Sequence, residues 1–415
     1  MSNLTLTHAQ LLDPSQGLKQ LRDVVIENGL IVAITASGTS TVAGSLFDAN
    51  NALLLPGLID LSAHINNVTS ETLAAAKGGI SLLCAQPNNK AIIDSPAAVN
   101  SIQLASSAAN NSQLLPLGAL TQSLEGEQLA NMYSLKQAGC IALSNARAPI
   151  KNALVLRRIM EYAATHDILI MLTAEDYDLS ANGKMHEGAT ANRLGLTGIA
   201  EVAETASLAQ QLLLIELTGC RAHFSQLSCG RSVDMIRNAQ AQGLTISADV
   251  AIANLMFTDL DVNGFDSTFN VQPPLRSEQD RQTLLAGVND GTLAICSNHQ
   301  AKDIAAKKAP FAAAEAGMSI LDSWLSMMLT LVHKEELELQ AMINASSILP
   351  AKILGLSQGL QVGQVANFVI VNPAAEVCYS AESLASSGKN SPILGETLMG
   401  EVKLTFSAGR EVFRA

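Results

Sequence analysis

The sequence predicts a parallel (β/α)8 barrel beside a small β domain that the two ends of the chain build together. Between about residue 53 and residue 350, short apolar runs alternate with longer segments of helical periodicity. Eight such runs occur, each too continuously apolar for a half-exposed antiparallel strand, as in buried parallel strands. Strand and helix repeated eight times is typical of a (β/α)8 barrel, an α/β fold. β-rich runs outside this region predict the second domain.

The eight apolar runs are the predicted barrel strands, and the segments between them are the predicted helices. The predicted strands cover residues 53–61, 80–86, 114–120, 140–144, 168–172, 221–227, 244–250 and 293–297. Apolar residues three and four positions apart predict amphipathic helices at 153–166, 198–213, 232–242 and 277–289. In this fold the side chains that follow the strands point into one mouth, where the chemistry takes place.

The flanking segments predict strands of one small β domain. Residues 23–34 contain two β-rich runs around Asn28-Gly29, which is a strong hairpin signal. Three further β-rich runs cover residues 367–373, 402–406 and 411–413. The predicted boundaries are 1–52 for the first part of the small domain, 53–355 for the barrel and 356–415 for the second part.

Composition predicts a globular cytoplasmic protein and argues against several classes of partner. The 415 residues are 48% hydrophobic and 15% charged, unlike a disordered chain. With 25 Lys and Arg against 37 Asp and Glu, a net charge of −12 disfavours nucleic acid. The 6 Cys include no C-x-x-C pair, which disfavours disulfides and thiolate zinc sites and indicates a reducing compartment. Neither a signal peptide nor a long apolar span is evident, so no membrane association is expected.

Several motifs carry a resemblance to a known family. Residues 56–66 read PGLIDLSAHIN directly after the start of the first apolar run. Further motifs are QPNN at 86–89, ED at 175–176, HEG at 186–188, LGLTGI at 194–199, VQPPLR at 271–276 and ILGL at 353–356. In this order and at these intervals, the sequence resembles the dihydroorotases of the amidohydrolase superfamily. The resemblance extends over most of the chain.

The resemblance implies a zinc site that this chain has lost. Dihydroorotases hydrolyse or close a cyclic amide with one or two zinc ions, which make hydroxide available near neutral pH. Aligned with the family motifs, the six ligand positions hold Ser62, His64, Asn145 (or Ala146), Thr173, Gln226 and Asn298. Only His64 is of the family's residue type, and the five replacements are neutral, poor zinc ligands. Asn298 also stands at the position of the general base, so the sequence predicts neither metal nor catalytic residues.

The resemblance also implies an eroded substrate pocket. In the family an Arg, an Asn and a His hold the substrate carboxylate. Asn66 stands in place of the Arg, Asn88 is retained, and Lys302 stands in place of the His. Loss of the guanidinium removes a bidentate carboxylate contact, although Lys302 supplies a compensating positive charge.

Other readings of the polar residues remain open from the sequence. A single makeshift zinc site would have to come from His64, His223, His299, Asp60, Glu175 and Asp176. The preferred interpretation makes His223 and His299 core residues and Asp60 a buried acceptor. Glu175 and Asp176 could form a carboxylate pair for acid–base catalysis, but hydrogen bonds to loop amides are the preferred interpretation. A serine or threonine nucleophile would use Ser62 or Thr173 with His64 as base. Arg147, Arg157, Arg158, Lys307 and Lys308 are expected on the solvated surface.

Three functional hypotheses follow from the resemblance. The first is a catalytically inactive subunit, because this chain looks like the inactive dihydroorotase homologue of certain bacteria. That homologue binds the catalytic subunit of aspartate carbamoyltransferase in a large assembly, so a hetero-oligomer and a homodimer are expected. The second is an active dihydroorotase or other cyclic amidohydrolase with an altered site or one weakly bound zinc. The third is a sensor that binds a carboxylated metabolite through Asn88 and Lys302.

Overall fold

The computed structural model describes residues 3–40, 44–89 and 91–415. Its strands are β1 (Leu4–Asp13), β2 (Leu18–Glu27), β3 (Leu30–Ala36), β4 (Ser45–Asp48), β5 (Leu53–Pro56), β6 (Leu58–His64), β7 (Ile80–Ala85), β8 (Gln113–Ala119), β9 (Ala142–Ser144), β10 (Ile170–Thr173), β11 (Met185–His186), β12 (Gly198–Ile199), β13 (Ala222–Ser225), β14 (Ile246–Ala251), β15 (Leu293–Cys296), β16 (His299–Gln300), β17 (Phe368–Cys378), β18 (Thr397–Ser407) and β19 (Arg410–Arg414).

The α-helices lie mainly between the barrel strands. They are α1 (Val68–Lys77), α2 (Pro96–Ala109), α3 (Met132–Ala138), α4 (Ala153–Thr165), α5 (Ala189–Leu194), α6 (Val202–Thr218), α7 (Gly230–Ala241), α8 (Ile252–Met256), α9 (Glu278–Asn289), α10 (Ile304–Lys308), α11 (Trp324–His333), α12 (Leu339–Ile343) and α13 (Leu349–Leu354). In the described parts of the chain, none of the helices combines the length and the apolar character needed to cross a bilayer.

The predicted (β/α)8 barrel is confirmed. Strands β6, β7, β8, β9, β10, β13, β14 and β15 pair in this order, each parallel to the next. Strand β16 continues from β15 and pairs in parallel with β6, which closes the ring. The carboxyl ends of all the strands therefore face the same side, and this side is the barrel mouth.

The predicted first strand, 53–61, is in fact two strands in two different sheets. β5 pairs with β1 and β17 in the small domain, whereas β6 belongs to the barrel. The chain changes sheets at Gly57, whose N–H donates to the carbonyl of Asn367 at 2.9 Å. A Cβ at Gly57 would lie 2.3 Å from the Ser81 hydroxyl, so only glycine fits there. The small-domain sheet thus extends to Pro56, beyond the predicted boundary at residue 52.

The predicted helix over 198–213 is also corrected. Gly198–Ile199 pairs in parallel with Met185–His186, and the helix α6 begins only at Val202 and continues to Thr218. A Cβ at Gly198 would lie 2.4 Å from the Cα of Glu187, because the two short strands pack closely. The other three predicted helices agree with α4, α7 and α9 to within two residues at each end.

The two ends of the chain form one small β domain, as predicted. Its sheet has the order β19-β18-β17-β5-β1-β2-β3, with β4 paired to β1. The predicted hairpin is β2 and β3, and Asn28 and Gly29 at its turn have φ values of 52° and 78°. Part of the C-terminal segment contacts the barrel instead, since the Asn390 amide donates to the carbonyls of Gln300 and Gly317 at 3.0 Å each.

Separate apolar clusters hold the barrel and the small domain. One fills the barrel interior with side chains such as Ile59, Leu117 and Met171, and a larger one packs the strands against the surrounding helices. The small domain has its own cluster, in which Phe368 and Phe406 stack with ring centroids 4.6 Å apart. Because the barrel interior is closed by apolar residues, polar chemistry is confined to the mouth.

Candidate functional site

Two of the predicted metal positions, Ser62 and Gln226, meet in a neutral hydrogen-bond network at the mouth. The Ser62 hydroxyl is fully buried and accepts from the side-chain amides of Gln86 and Gln226, at 2.9 and 2.7 Å. Gln86 follows β7 and Gln226 follows β13, so one hydroxyl joins three strand ends. Its partners are amide donors rather than His64, the general base that a serine nucleophile would require.

Arg147 enters the mouth, and its prediction as a solvated surface residue was wrong. Its guanidinium forms an ion pair through Nη2 with Glu175, and its Nη1 donates to Oε1 of Gln226 at 3.3 Å. The Arg147 and Glu175 side chains are only 16% and 10% exposed. The Tyr177 hydroxyl donates to the Arg147 carbonyl, which fixes the loop after β9. A cation of the protein therefore contacts a position that the family resemblance assigns to a metal ligand.

Two further predicted metal positions turn their polar atoms toward the backbone. Oδ1 of Asn145 accepts from the N–H and the hydroxyl of Thr121, at 3.2 and 2.8 Å. The Thr173 hydroxyl donates to the carbonyl of Ala146 at 2.8 Å. Ala146, the alternative to Asn145 in the alignment, has a φ of 47° and no side-chain ligand atom. These side chains stabilise the loop after β9 and are committed to it.

Asn298 occupies the position of the family's general base. It has a φ of 50°, and its amide nitrogen donates to the carbonyl of Gln272 at 2.9 Å. Its Oδ1 is buried and has no hydrogen-bond partner in the described parts of the chain, and Oε1 of Gln86 is in the same condition. An amide oxygen does not take up a proton near neutral pH, so this residue cannot serve as the base.

His64 is the one predicted position with a usual zinc-ligand side chain. Burial lowers its pKa to about 4, with smaller contributions from His299 and from the positive charges of Lys302 and Arg147, while a hydrogen bond that the imidazole donates to Asn88 acts in the opposite direction. The imidazole is thus neutral at pH 7. Ser62, its partner in the family's His-x-His motif, offers only a hydroxyl that is already bonded.

The predicted substrate-pocket residues each make contacts of their own. Asn88 bonds to His64, and the amide of Asn66 donates to the carbonyl of Ala301 at 3.4 Å. The Lys302 ammonium pairs with Glu315 at 2.9 Å, and the Glu315 side chain is 62% exposed. The positive charge of Lys302, which was expected to compensate for the lost guanidinium, is therefore paired with the Glu315 carboxylate at the rim of the mouth.

The two other histidines near the strand ends are core residues, as the preferred interpretation predicted. Both ring nitrogens of His223 are taken, one by the Ser247 hydroxyl at 2.8 Å and one by Asp249 at 2.9 Å. Nε2 of His299 lies 2.9 Å from Glu71, and a backbone N–H donates to its Nδ1 at 3.1 Å. Neither imidazole has a nitrogen left for a metal ion.

The acidic residues near the mouth also bond to the protein. Asp60 accepts from the N–H and hydroxyl of Ser297, and burial raises its pKa to about 6. Oδ1 of Asp176 accepts two loop amides at 3.0 Å each, as predicted. Glu175 differs from its prediction because it pairs with Arg147.

Lys307, predicted on the surface, donates instead to two backbone carbonyls at 2.9 and 3.1 Å.

These side chains do not fit the zinc centre that the family resemblance implies. Four of the six positions offer amide or hydroxyl groups that already bond within the protein, Asn298 offers an amide, and a guanidinium stands beside them. Zinc sites need thiolate, imidazole or carboxylate donors with an open position for water. In the described residues, no group of three or more His, Cys, Asp or Glu side chains could hold a metal ion.

The mouth also has little free space. A cavity of about 10 Å³ remains between Arg147, Thr173, Gln226 and Arg276. A single buried water needs at least this much room. This part of the mouth is a packed polar network, whereas Asn145, Thr173 and Glu175 also line a larger cavity of about 350 Å³ between α4 and α6.

Sequence reasoning missed Arg147 and Gln86 as parts of this site, and it missed the pairing of Glu175 with a cation. A usable signal was present, since Arg147 and Glu175 follow consecutive barrel strands and carry opposite charges. Residues after neighbouring parallel strands lie side by side, so an ion pair across the mouth could have been predicted.

Comparison with known proteins identifies the family of this chain. The family model described as dihydro-orotase-like matches residues 51–232. The chain is 41% identical to the dihydroorotase-like protein of Pseudomonas aeruginosa, covering 98% of both proteins. It is 35% identical to the dihydroorotase of Trichlorobacter lovleyi, covering 99% of both.

Solved structures share the architecture at low sequence identity. The L-hydantoinase (dihydropyrimidinase) of Arthrobacter aurescens superposes with a TM-score of 0.88 at 21% identity, covering 100% of this chain and 96% of that one. The dihydropyrimidinase of Brevibacillus agri has a TM-score of 0.83 at 19% identity, covering 99% and 95%. These likenesses establish the fold alone. The full-length sequence relatives show that this chain belongs to the dihydroorotase-like family of amidohydrolases.

Proposed function

We propose that this protein is a catalytically inactive dihydroorotase-like subunit that assembles with aspartate carbamoyltransferase and supports it in de novo pyrimidine biosynthesis. The observation that carries the proposal is the state of the mouth. Neutral side chains stand at five of the six metal positions, and the guanidinium of Arg147 donates to one of them, Gln226. Apart from His64, each group that would bind metal or accept a proton is replaced, while the barrel remains whole.

The inactivity follows from the chemistry of cyclic amide hydrolysis. A carbonyl carbon of an amide is attacked rapidly only by an activated water, and in this family a metal lowers the pKa of that water. Here the Arg147 charge repels a divalent cation, and Asn298 cannot accept the proton of the water. Loss of the base alone costs about 10²-fold to 10⁴-fold in rate.

The partner assignment is supported by the resemblance and by what the chain has kept. The closed barrel and the two-ended β domain are intact, and the chain matches its relatives along almost their full length. A surface role needs the fold but not the metal. We propose the catalytic subunit of aspartate carbamoyltransferase as the partner, in a hetero-oligomer that contains this protein as a homodimer, in the cytoplasm.

Inactivity is tested on the purified protein by zinc analysis and a dihydroorotate turnover assay. We expect less than one zinc per ten chains and no turnover above a heat-inactivated control, with or without added zinc, at a detection limit of about 10⁻⁴ of a typical turnover number. Stoichiometric zinc, or turnover that a chelator abolishes, would overturn the proposed inactivity.

Assembly is tested by co-expression with the cognate aspartate carbamoyltransferase. We expect both chains in one high-mass peak on size exclusion, and lower stability or activity of the transferase when it is expressed alone. Two independent peaks at every concentration would contradict the partnership and leave the conclusion on inactivity untouched.

The second candidate is an active dihydroorotase, or another cyclic amidohydrolase, with an altered site or one weakly bound zinc. It is favoured by the relatives named dihydroorotase, which are 33–35% identical over nearly the whole chain. The retained His64, neutral at pH 7, would be its ligand. The turnover assay distinguishes this candidate from the inactive subunit.

A further inference from the structure

The helix α6 carries apolar residues on all sides, including the side that faces solvent. Its inward side belongs to the barrel core, where Leu208 and Ile215 are at most 1% exposed. On its outward side Leu213, Leu217 and Val202 are 66%, 63% and 49% exposed. A helix that is apolar all round is normally buried on all sides. The outward side of α6 therefore indicates a contact with a second molecule.

The helices on either side of α6 present charged residues to solvent. Arg157 and Glu161 are exposed on α4, and Arg231 and Asp234 are exposed on α7. On α6 itself the exposed residues include one charged side chain, that of Glu216 near its end. Because the centre of an interface is poor in charged residues, the surface suited to a contact is concentrated on α6.

The exposed apolar residues of α6 form a stripe that has the same spacing from either end. The stripe consists of Val202, Ala206, Ala209 and Leu213, all of which are exposed. Their separations are 4, 3 and 4 residues, so they lie along one side of the helix. A two-fold axis between the two alanines places Val202 of one helix against Leu213 of an antiparallel copy. The alanines then face each other at the centre, where small side chains let the two helices approach closely.

Charge and area favour this antiparallel pair. In a parallel pair the Glu216 carboxylates of the two copies would lie side by side, whereas the antiparallel pair keeps them at opposite ends. The stripe and Leu217 expose on the order of 400 Å² in each copy, about half of what one partner buries in a stable interface. The groove between α6 and α7, lined by Leu212, Met235 and Leu244, continues this surface and adds to the buried area.

We propose that this protein forms a two-fold symmetric homodimer in which α6 packs antiparallel against α6 of a second copy. The partner is a second copy because the stripe is complementary to itself, as an interface on a two-fold axis must be. The proposal rests on the homodimer of the proposed function, to which it assigns a surface. It does not depend on the inactivity or on the transferase.

Sedimentation of the isolated full chain, without the transferase, tests the interface. We expect a dimer at about 10 µM. Leu213→Lys places an unpaired ammonium on each side of the two-fold axis, so the dissociation constant of the dimer should rise at least about 100-fold. The control is Leu104→Lys on α2, where the leucine is 72% exposed, and this variant should remain dimeric. A monomeric wild-type chain, or a dimer that survives Leu213→Lys, would overturn the proposal.

Mixing two variants tests the antiparallel register. Val202→Glu and Leu213→Lys should each be monomeric alone, with circular dichroism spectra like that of the wild type. An equimolar mixture should form heterodimers, because the introduced ammonium faces the introduced carboxylate at one contact while Val202 faces Leu213 at the other. A mixture that stays monomeric would overturn the register. A wild-type chain that is monomeric alone, and whose binding to the transferase Leu213→Lys abolishes, would assign α6 to the transferase and overturn the homodimer.

Discussion

The barrel mouth and the layer of buried side chains just behind it, called the wall, differ in the ionisable side chains that they hold and in the partners of those side chains. The wall keeps Asp60, His223 and His299, which lie within three residues of the neutral Ser62, Gln226 and Asn298. Each wall residue has a protein partner, namely Ser297, Asp249 and Glu71. At the mouth, where the family resemblance provides a metal ion as the partner, neutral side chains stand at five of the six metal positions, and the ion pair of Arg147 and Glu175 lies beside them. A buried charge is stable only when it is paired, so the wall keeps its ionisable groups and the mouth keeps only those that have a partner other than a metal.

The largest expected effect comes from breaking a wall pair. Glu71 is fully buried, lies 2.9 Å from Nε2 of His299, and accepts from the N–H of Ser387 at 3.0 Å. It therefore joins α1, the eighth barrel strand and the C-terminal segment. Glu71→Gln places an amide N–H against groups that themselves donate, so a buried donor loses its acceptor. We therefore expect a loss of about 3 kcal/mol in the free energy of unfolding in urea.

The control for this variant is a carboxylate that is mostly exposed. Glu315→Gln removes the partner of Lys302 at the rim, where the side chain is 62% exposed. We expect it to change the free energy of unfolding by less than about 0.5 kcal/mol. Similar losses in the two variants would contradict the distinction between buried and exposed pairs.

The same wall pair predicts a pH dependence. Burial would raise the pKa of Glu71, but hydrogen bonds from His299 and Ser387 outweigh it and lower the pKa from 4.5 to about 2. A carboxyl with a depressed pKa in the folded state stabilises the protein above its unfolded pKa and loses this effect as the pH falls toward 2. The stability difference between wild type and Glu71→Gln should shrink between about pH 5 and pH 2. A constant difference across that range would show that Glu71 is not the group responsible.

At the mouth the expected effect is smaller, because one internal pair has replaced the metal. Arg147→Met leaves the Glu175 carboxylate, which is 10% exposed, without its cation and removes a donor to Gln226. We expect a loss of about 2 kcal/mol in unfolding free energy, and adding Glu175→Gln should restore at least half of it.

The matched control for this cycle is Arg157→Met. Arg157 forms an exposed i,i+4 pair with Glu161 at 2.8 Å, so the loss should stay below about 0.5 kcal/mol. If the double variant is no more stable than Arg147→Met alone, the ion pair is not what holds the mouth together.

The barrel could be predicted from sequence because each strand is buried on both faces and reads as a continuous apolar run. The exception shows the limit of this signal. Leu53–Pro56 and Leu58–His64 are both buried strands, so nothing in their hydrophobicity marks the change of sheet at Gly57. That change is set by the close approach of Ser81 and Asn367, which are distant in sequence.

The candidate site was predictable only in part, for a related reason. The replaced metal positions follow from local motifs, and the structure places them in the last residues of the barrel strands or just after them. The role of Arg147 does not follow from a local motif, since the side chain of an arginine in a loop points inward or outward according to its neighbours.

The smallest expected effect concerns the influence of the Lys302 charge on the pKa of His64. The charge of Lys302 contributes to lowering the pKa of His64, although burial is the larger cause. Lys302→Met should therefore raise that pKa from about 4 by less than one unit, as measured by NMR titration of the imidazole, whereas Lys403→Met in the small domain should leave it unchanged. An unchanged His64 pKa would mean that Glu315 cancels the effect of the Lys302 charge on His64, because the two side chains form an ion pair at the rim. The electrostatic lowering of the His64 pKa would then come from His299 and Arg147, so it would depend on groups inside the barrel and not on the rim.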